Sequence, residues 1–370
     1  MDEPDEYPIA PPAPRKGRGA VTNLQGRYER DERAVFDDGW LPAGEDDLPP
    51  SLKTHVFEER ARSILTHNAS PDIPFSVSLN PYRGCEHGCI YCFARPTHSY
   101  LGLSPGLDFE SRIYAKVNAP ELLRRELMKK SYVPEPIALG VNTDAYQPVE
   151  RELRLTRRVI EILREHGHPF AAITKSSLIE RDIDLLAPMA ERGQVMAAVT
   201  ITTLDADIAR TLEPRAATPL RRLRTIRTLA QAGIPVGVSI APVIPFVTEP
   251  DLERVLEACA QAGATSASYI VLRLPWEVAP LFKDWLAAHF PQRAERVMAR
   301  VRDMRGGKDY DSSFAQRMKG EGAWAELLKQ RFEKAVKRLG LNARRHGILD
   351  MSEFKRPAAP VPPNPQLDLF

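Results

Sequence analysis

A repeated alternation between amphipathic helical segments and short apolar runs constrains the fold of this 370-residue chain more than any other feature. Four times, a segment with helical periodicity ends at a glycine, and an apolar run of strand length follows within a few residues. Glycine suits the left-handed position just past a helix, and such runs are typical of buried strands. Two earlier runs, 74–81 and 137–142, raise the number of predicted strands to six. The four glycines are Gly167, Gly193, Gly233 and Gly263.

Strands that alternate with single helices need crossover connections, which are right-handed and make neighbouring strands parallel. The pattern therefore predicts an α/β core over 70–275, with its six strands in either an open doubly wound sheet or a partial barrel. In both topologies, ligands bind at the carboxyl ends of the strands. Residues 276–350 have helical periodicity and predict a helical C-terminal extension.

The composition outside this core differs. Residues 1–55 combine many prolines with short charge blocks and few apolar residues, which favours a disordered or extended leader. The whole chain has 51 Lys and Arg against 49 Asp and Glu, so its overall charge does not favour nucleic acid or membrane surfaces. No apolar run approaches the roughly 18 residues that span a bilayer. Because the N-terminus also lacks the features of a signal peptide, we expect a cytoplasmic protein without membrane contact.

Three of the four cysteines follow the first predicted strand within eight residues, in the run NPYRGCEHGCIYCFARP. Thiolates at CxxxCxxC spacing suit soft metals and iron–sulfur clusters, and three protein ligands would leave one iron open. The remaining cysteine, Cys259, lies in a predicted amphipathic helix as a small core residue. A zinc loop completed by His87 or His98 is the alternative. The three clustered cysteines are Cys85, Cys89 and Cys92.

This cysteine motif, with the aromatic Tyr91 before its last cysteine and about five further βα units after it, resembles the radical S-adenosylmethionine (SAM) superfamily. The resemblance covers residues 75–275 and implies a [4Fe–4S] cluster on a partial (β/α)6 barrel related to the TIM barrel. It further implies that the open iron chelates SAM, and that one electron from a flavodoxin- or ferredoxin-like donor cleaves SAM to methionine and a 5′-deoxyadenosyl radical. The protein would hold the reactants in register and exclude water.

The resemblance also implies SAM contacts at the ends of the strands. Tyr91 would pack by the adenine, with a plain core aromatic as the alternative. The residues after the second strand would bind the SAM amino group, although Asp144 also suits a helix N-cap. Glu213 and Arg215 would either pair with each other or hold the SAM carboxylate. The implied contacts are Tyr91, Asn142, Thr143, Asp144, Lys175, Ser176, Thr202 and Arg215.

Within the superfamily, the segments NPYRGCxHGCxYCFAR, TDxYQPxE, TKS, LEPRA and LRLP resemble a bacterial group allied to spore photoproduct lyase. That lyase repairs DNA by splitting a thymine dimer, and it uses a cysteine near the end of its second strand to return a hydrogen atom. The corresponding segment here, ALGVNTDAYQ, has no cysteine, so the lyase reaction itself does not carry over. Tyr146 or Tyr91 is the alternative hydrogen relay.

The chain ends in QLDLF after a proline-rich stretch. This ending resembles the short peptide with which bacterial DNA polymerases and repair proteins dock on the sliding clamp. Apolar anchors on a tail can fill a small groove, and a proline-rich spacer holds such a tail extended. The alternative is a tail that folds back onto the domain. The peptide residues are Gln366, Leu367, Asp368, Leu369 and Phe370.

Two arginine-rich segments, 221–228 and 329–347, either contact phosphates or form solvated helix faces. The sequence thus predicts a radical SAM enzyme that the clamp recruits to DNA, for repair or modification of nucleic acid. One alternative keeps the radical chemistry with a protein, tRNA or metabolite as substrate. Another is a clamp-tethered metal-binding scaffold without catalysis.

Overall fold

The computed structural model describes residues 14–29, 52–314, 316–343 and 349–357. The peptide predicted to bind the clamp, residues 366–370, lies outside the described residues. The strands are β1 (His55–Glu59), β2 (Leu65–His67), β3 (Val77–Leu79), β4 (Tyr82–Arg83), β5 (Arg112–Lys116), β6 (Ile137–Leu139), β7 (Phe170–Thr174), β8 (Val195–Thr200), β9 (Val236–Val243) and β10 (Ser266–Val271). The helices are α1 (Leu107–Ser111), α2 (Ala119–Met128), α3 (Glu150–Leu153), α4 (Leu155–Glu165), α5 (Ile183–Glu191), α6 (Ala206–Leu212), α7 (Pro219–Gln231), α8 (Leu252–Ala262), α9 (Val278–His289), α10 (Ala294–Asp303) and α11 (Gly322–Arg338).

The main sheet of the described residues contains six parallel strands in the order β3-β6-β7-β8-β9-β10, which are the six predicted strands. Each new strand is added beside the previous one. A doubly wound sheet reverses its strand order at a switch point, whereas a barrel does not. The topology is therefore the barrel type. The short β2 pairs antiparallel with β3 at one edge of the sheet.

The helix-ending glycines behave as the sequence predicts. Gly167, Gly193, Gly233 and Gly263 have φ of 59°, 69°, 77° and 105°, which is the left-handed region that glycine enters without a steric penalty. Each lies between an outer helix and the next buried strand. Helix α4 shows why these helices form: its apolar residues recur on one stripe, which is buried against the sheet.

A second, three-stranded sheet of order β1-β5-β4 lies beside the barrel and positions the cysteine motif. Strand β4 ends two residues before Cys85, and the Cys85 N–H donates to the carbonyl oxygen of Phe109 in α1 at 3.0 Å. Tyr82 and Ile113 from this sheet are fully buried together. The cysteine loop therefore starts from a backbone that is fixed on both sides.

Helices α9, α10 and α11 follow the barrel. Residues of α9 and α10 share an apolar cluster with Ile90 and Tyr91 of the cysteine loop. Phe332 of α11 packs on Tyr269 of β10 with ring centroids 4.6 Å apart, and the Val271 N–H donates to the carbonyl oxygen of Met318 at 3.0 Å. The extension thus covers both the cysteine loop and the last barrel strand. Among the described residues, no helix combines the length and apolar character that crossing a membrane requires.

Candidate active site

The cysteine loop turns sharply twice, at Gly84 and Gly88, whose φ angles are 74° and 67°. Its two buried thiols are Cys85 and Cys89, while Cys92 is half-buried, and all three cysteines are free. Burial raises the pKa of Cys89 to about 12 and also raises the pKa of Cys85 and Cys92. The loop therefore gathers thiols that need a bound cation to become thiolates.

Three thiols on one short loop fit an iron–sulfur cluster, because each thiolate bonds a different iron of the cluster. Each histidine of the zinc alternative is held through one ring nitrogen. His87 Nδ1 lies 3.2 Å from Asp144 Oδ2, and His98 Nε2 lies 2.9 Å from the carbonyl oxygen of Arg112. Cys259 is buried in the main apolar core, as predicted.

A buried polar network lies against the cysteine loop at the ends of β7 and β8. Its centre is Glu213, which accepts a hydrogen bond from the Tyr91 hydroxyl and another, at 3.3 Å, from Thr202 Oγ1. Glu213 also forms a fully buried ion pair with Arg222, which donates to the carbonyl oxygen of Thr200 at 2.9 Å. The network fixes the ring of Tyr91 next to the thiols.

The charged side chains of this network shift one another's pKa. Burial alone would raise the pKa of Glu213, but Arg222 and Lys175 hold it below its usual value. Burial also disfavours the charged form of Lys175, yet Cys89 and Glu213 raise its pKa above the usual value. The Lys175 ammonium lies 5.8 Å from the centroid of the Tyr91 ring. A lysine cation therefore stands directly beside the cysteine loop.

Glu213 and Arg215 do not pair with each other. Arg215 Nη2 donates instead to Glu86 Oε1 at 2.9 Å, and its backbone N–H donates to the carbonyl oxygen of His87 at 3.3 Å. The reason is that Arg215 runs along the outside of the cysteine loop, whereas the Glu213 side chain points inward to Arg222 on α7. The closeness of Glu213 and Arg215 in the sequence therefore does not make them an ion pair.

Asp144 joins the ends of two strands and the cysteine loop. It accepts hydrogen bonds from Thr174 Oγ1 at 2.7 Å, the Lys175 N–H at 2.8 Å and the Tyr146 N–H at 2.9 Å, and it contacts His87. Burial alone would raise the pKa of Asp144, but His87 and these hydrogen bonds lower it to about 2. Its oxygens are thus occupied by protein groups, and the carboxylate positions Lys175.

The other predicted contact residues lie at the same end of the barrel. The N–H groups of Asn142 and Thr143 donate to Asn80 Oδ1 at 2.9 and 3.4 Å, and Thr143 Oγ1 donates to the carbonyl oxygen of Tyr82 at 2.9 Å. Ser176 Oγ caps the following 3-10 helix by accepting the N–H of Leu178 at 3.1 Å. The hydroxyls of Thr143 and Ser176 therefore serve the local backbone.

The two tyrosines considered as hydrogen relays differ in position. Tyr91 lies beside Cys89 in the apolar cluster that adjoins the loop. Tyr146 is completely buried in the main barrel core, where burial and the nearby Asp182 carboxylate raise the pKa of its hydroxyl. Only Tyr91 lies next to the cysteine loop.

Part of the N-terminal leader belongs to the site, which the sequence pattern does not predict. Arg18, Gly19 and Ala20 are packed behind the cysteine loop, although residues 14–29 contain no helix or strand. A Cβ on Gly19 would lie 1.9 Å from the carbonyl oxygen of Gly88, so only glycine allows this approach. We call residues 18–20 the N-terminal brace. The Gly-Ala pair within a polar, proline-rich segment is the one sequence signal for it.

The N-terminal brace reaches the loop backbone through two buried charges. The N–H groups of Gly19 and Ala20 donate to the Glu110 carboxylate at 3.0 and 2.8 Å. Glu110 pairs with Arg95 at 2.5 Å, and Arg95 donates to the carbonyl oxygen of Cys89 at 2.9 Å. Both charged side chains are fully buried. The brace and the loop are thus parts of one hydrogen-bonded unit.

Three described arginines of the two arginine-rich segments form close ion pairs. Arg221 lies 2.6 Å from Glu180, and Arg222 is the buried partner of Glu213. Arg331 lies 2.8 Å from Glu253. These side chains stabilise contacts between helices and the barrel, so they are not free to bind phosphates.

The family model of the radical SAM superfamily matches residues 79–259, which contain the cysteine loop and the polar network. Over these residues the chain carries a radical SAM domain. Members of this superfamily use a [4Fe–4S] cluster and SAM. The three loop cysteines are the residues of this chain that fit the cluster.

Two relatives illustrate the sequence similarity. "Uncharacterized protein Rv2578c" of Mycobacterium tuberculosis is 38% identical over 226 residues, which are 60% of this chain and 66% of that protein. The match thus spans slightly less than two thirds of that relative. "Uncharacterized protein MJ0683" of Methanocaldococcus jannaschii is 24% identical over 245 residues, which are 66% of this chain and 87% of that protein.

Among solved structures, spore photoproduct lyase has a similar fold. A mutant of that lyase, in which serine replaces a cysteine, gives a TM-score of 0.51 at 15% identity, covering 77% of this chain and 80% of that chain. The complex of the lyase with the dinucleoside spore photoproduct gives a TM-score of 0.50 at the same identity and coverage. At this identity the likeness establishes the fold alone.

Proposed function

We propose that this protein is a radical SAM enzyme that acts on DNA, in repair or modification, and that the sliding clamp recruits it. The observation that carries the enzymatic part is the set of three free thiols on one braced loop, beside an ammonium and a buried tyrosine, at the carboxyl end of the barrel. When bound, the cluster would supply the electron that cleaves SAM to methionine and a 5′-deoxyadenosyl radical. Cys85, Cys89 and Cys92 would hold it.

The polar network has a role in SAM binding under this proposal. The Lys175 ammonium would meet the SAM carboxylate, since it lies 5.8 Å from the Tyr91 ring centroid and its backbone is held by Asp144. Tyr91, fixed by Glu213, would support the adenine. Asn142 would face the SAM amino group from the end of β6. These roles follow from charge and from position at the barrel end.

Apolar packing would protect the radical from water. One buried apolar cluster contains Tyr91 and Cys89 together with three residues from later in the barrel, Leu212, Ile244 and Leu272. A reactive radical needs such exclusion because water and loose protons open side reactions. The electron donor would be a flavodoxin- or ferredoxin-like protein that approaches the loop from outside.

The DNA part of the proposal rests on two supports. One is the QLDLF ending at residues 366–370, whose apolar anchors and glutamine match what a clamp groove binds. The other is the fold shared with spore photoproduct lyase, which has been solved with a dinucleoside photoproduct. The segment 137–147 contains no cysteine, so we propose a product-forming step different from that of the lyase.

The enzymatic part is tested on full-length protein reconstituted without oxygen. We expect about four iron and four sulfide ions per chain and formation of 5′-deoxyadenosine from SAM when dithionite is added. Cys89→Ala should abolish both, and Cys259→Ser, in the distant core, is the matched control that should retain both. Zinc without sulfide in the wild type, or 5′-deoxyadenosine from Cys89→Ala, would refute the assignment.

Recruitment by the clamp is tested separately by surface plasmon resonance with an immobilised bacterial sliding clamp and the full-length chain. Saturable binding that disappears in the Leu369→Ala/Phe370→Ala variant is expected, because the two apolar anchors would supply most of the contact energy. Absence of binding by the wild type, or equal binding by the variant, would leave a radical SAM enzyme without a clamp partner.

A further inference from the structure

A group of exposed aromatic and arginine side chains lies at the mouth of the barrel, beside the cysteine loop. The four aromatic residues are between 46% and 65% exposed. Exposed apolar groups that cluster, rather than being scattered singly, mark binding surfaces. We call this group the mouth strip. Its members are Arg27, Tyr28, Phe93, Tyr100, Arg273 and Trp276.

One end of the mouth strip is a stack of flat groups. Tyr28 and Tyr100 stack with ring centroids 5.1 Å apart. The Arg27 guanidinium lies 5.5 Å from the centroid of Tyr28 and 4.4 Å from that of Trp276, and it pairs with Glu277 at 2.6 Å. Because its charge is already paired, Arg27 acts mainly as a spacer that holds the rings side by side.

The other end carries the half-buried guanidinium of Arg273. Arg273 is the second residue after β10, and its guanidinium lies 5.6 Å from the ring centroid of Phe93, the residue after Cys92. Within the described ranges no carboxylate forms an ion pair with Arg273. Its two Nη atoms contact the Tyr310 hydroxyl at 3.4 Å and the Met318 sulfur at 3.5 Å, and its buried Nε has no acceptor. Phosphate is the anion that such a planar guanidinium fits.

Trp276 is held outward by an unusual backbone. Its φ is 47°, in the left-handed region that bulky residues rarely occupy, and its side chain is 64% exposed. Strained backbone of this kind is found at ligand-binding sites. Here it presents the indole to solvent three residues after Arg273.

We infer that the mouth strip binds single-stranded DNA, with bases stacked on its aromatic faces and a phosphate on Arg273. Every base has a π face, and alternating aromatic and guanidinium groups bind single strands with little sequence preference. A duplex hides those faces, and a base must leave the stack before chemistry at a recessed site can reach it. A strand bound here would pass Phe93 at the edge of the cysteine loop. This inference rests on the proposed action on DNA.

The test uses the full-length protein, reconstituted without oxygen, and fluorescence anisotropy of 5′-fluorescein-labelled dT12. Trp276→Ala should weaken binding roughly 5- to 150-fold, the loss expected for one stacked base. Arg273→Gln should reduce the slope of log K against log salt by about 0.7, the value for one lost phosphate contact on a single strand. Thermal unfolding midpoints within the range of the wild type show that both variants are folded.

Two exposed residues of α7 provide matched controls, Leu220→Ala for the apolar surface and Arg227→Gln for the charge. Both should leave the binding of dT12 unchanged. Equal losses in the controls, no loss in Trp276→Ala and Arg273→Gln, or tighter binding of U12 RNA than of dT12 would overturn the inference. The same samples are assayed for cleavage of SAM. Cleavage without binding of dT12 refutes the mouth strip alone, and binding of dT12 without cleavage refutes the enzymatic proposal alone.

Discussion

Replacing Gly19 with Ala is the sharpest test of the N-terminal brace. The new Cβ would lie 1.9 Å from the carbonyl oxygen of Gly88, whereas ordinary contacts begin at 3.4 Å, so the two backbones must separate by about 1.5 Å. No rotamer change relieves the clash, because the backbone fixes the position of an alanine Cβ and the carbonyl oxygen of Gly88 is itself a backbone atom. Either the cysteine loop shifts or the brace gives up its hydrogen bonds to Glu110.

The cheaper of these two responses sets the size of the effect. Overpacking costs about 1–3 kcal/mol, and each N–H bond to a carboxylate contributes about 1.5–3 kcal/mol. We therefore expect Gly19→Ala to raise the equilibrium population of the undocked N-terminal brace by roughly 5- to 150-fold, which corresponds to about 1–3 kcal/mol. Undocking exposes Arg18, which is buried when the brace is docked.

Trypsin measures this population under native conditions, because cleavage after Arg18 requires local opening. We expect Gly19→Ala to be cut faster by the factor given above and to retain less iron after reconstitution. Gly17→Ala is the control for backbone strain, because its Cβ meets no atom within 4 Å while its φ of 75° disfavours alanine. Only the excess of Gly19→Ala over Gly17→Ala reports the clash. If Gly19→Ala matches the wild type in both cleavage rate and iron content, residues 18–20 do not brace the loop.

Three further predictions concern the polar network. Glu213→Gln leaves Arg222 buried without a counter-charge and should lower the free energy of unfolding by about 3–5 kcal/mol, while adding Arg222→Met should restore part of it. Urea unfolding that shows no restoration would contradict the ion pair. The pKa of Asp144 is about 2, below its ordinary value of 3.8, so its contribution of about 2 kcal/mol is complete above pH 5 and lost as the pH falls toward 2. In Asp144→Asn, the free energy of unfolding should therefore fall less steeply as the pH is lowered from 5 toward 2. An unchanged pH dependence would rule out the contribution of Asp144. Lys175→Met should weaken SAM binding at least roughly tenfold in equilibrium dialysis, and unchanged affinity would exclude a contact with SAM.

Local patterns in the sequence are sufficient for the βα units and the cysteine loop, whereas the strand order that distinguishes a barrel from a doubly wound sheet belongs to the tertiary structure. Helical periodicity that ends at Gly167 or Gly263, followed by a buried run, specifies a βα unit within about thirty residues of chain. The spacing of Cys85, Cys89 and Cys92 places three thiols on one loop without any long-range information. In contrast, β1, β4 and β5 are short strands without a clear period, so the sheet that supports the loop was not predicted.

Only the tertiary structure decided which charges meet. Glu213 has Arg215 two positions away, yet its partner is Arg222, because the chain reverses between α6 and α7. The brace docks on Glu110 across about ninety residues of sequence, and Arg273 meets Phe93 across an even longer separation. Periodicity records which side of an element is buried, and spacing records which cysteines share a loop, so the sequence by itself determined the βα units and the three-cysteine loop. It carries no record of which side chains face each other across the barrel mouth, since those pairs depend on how distant segments pack.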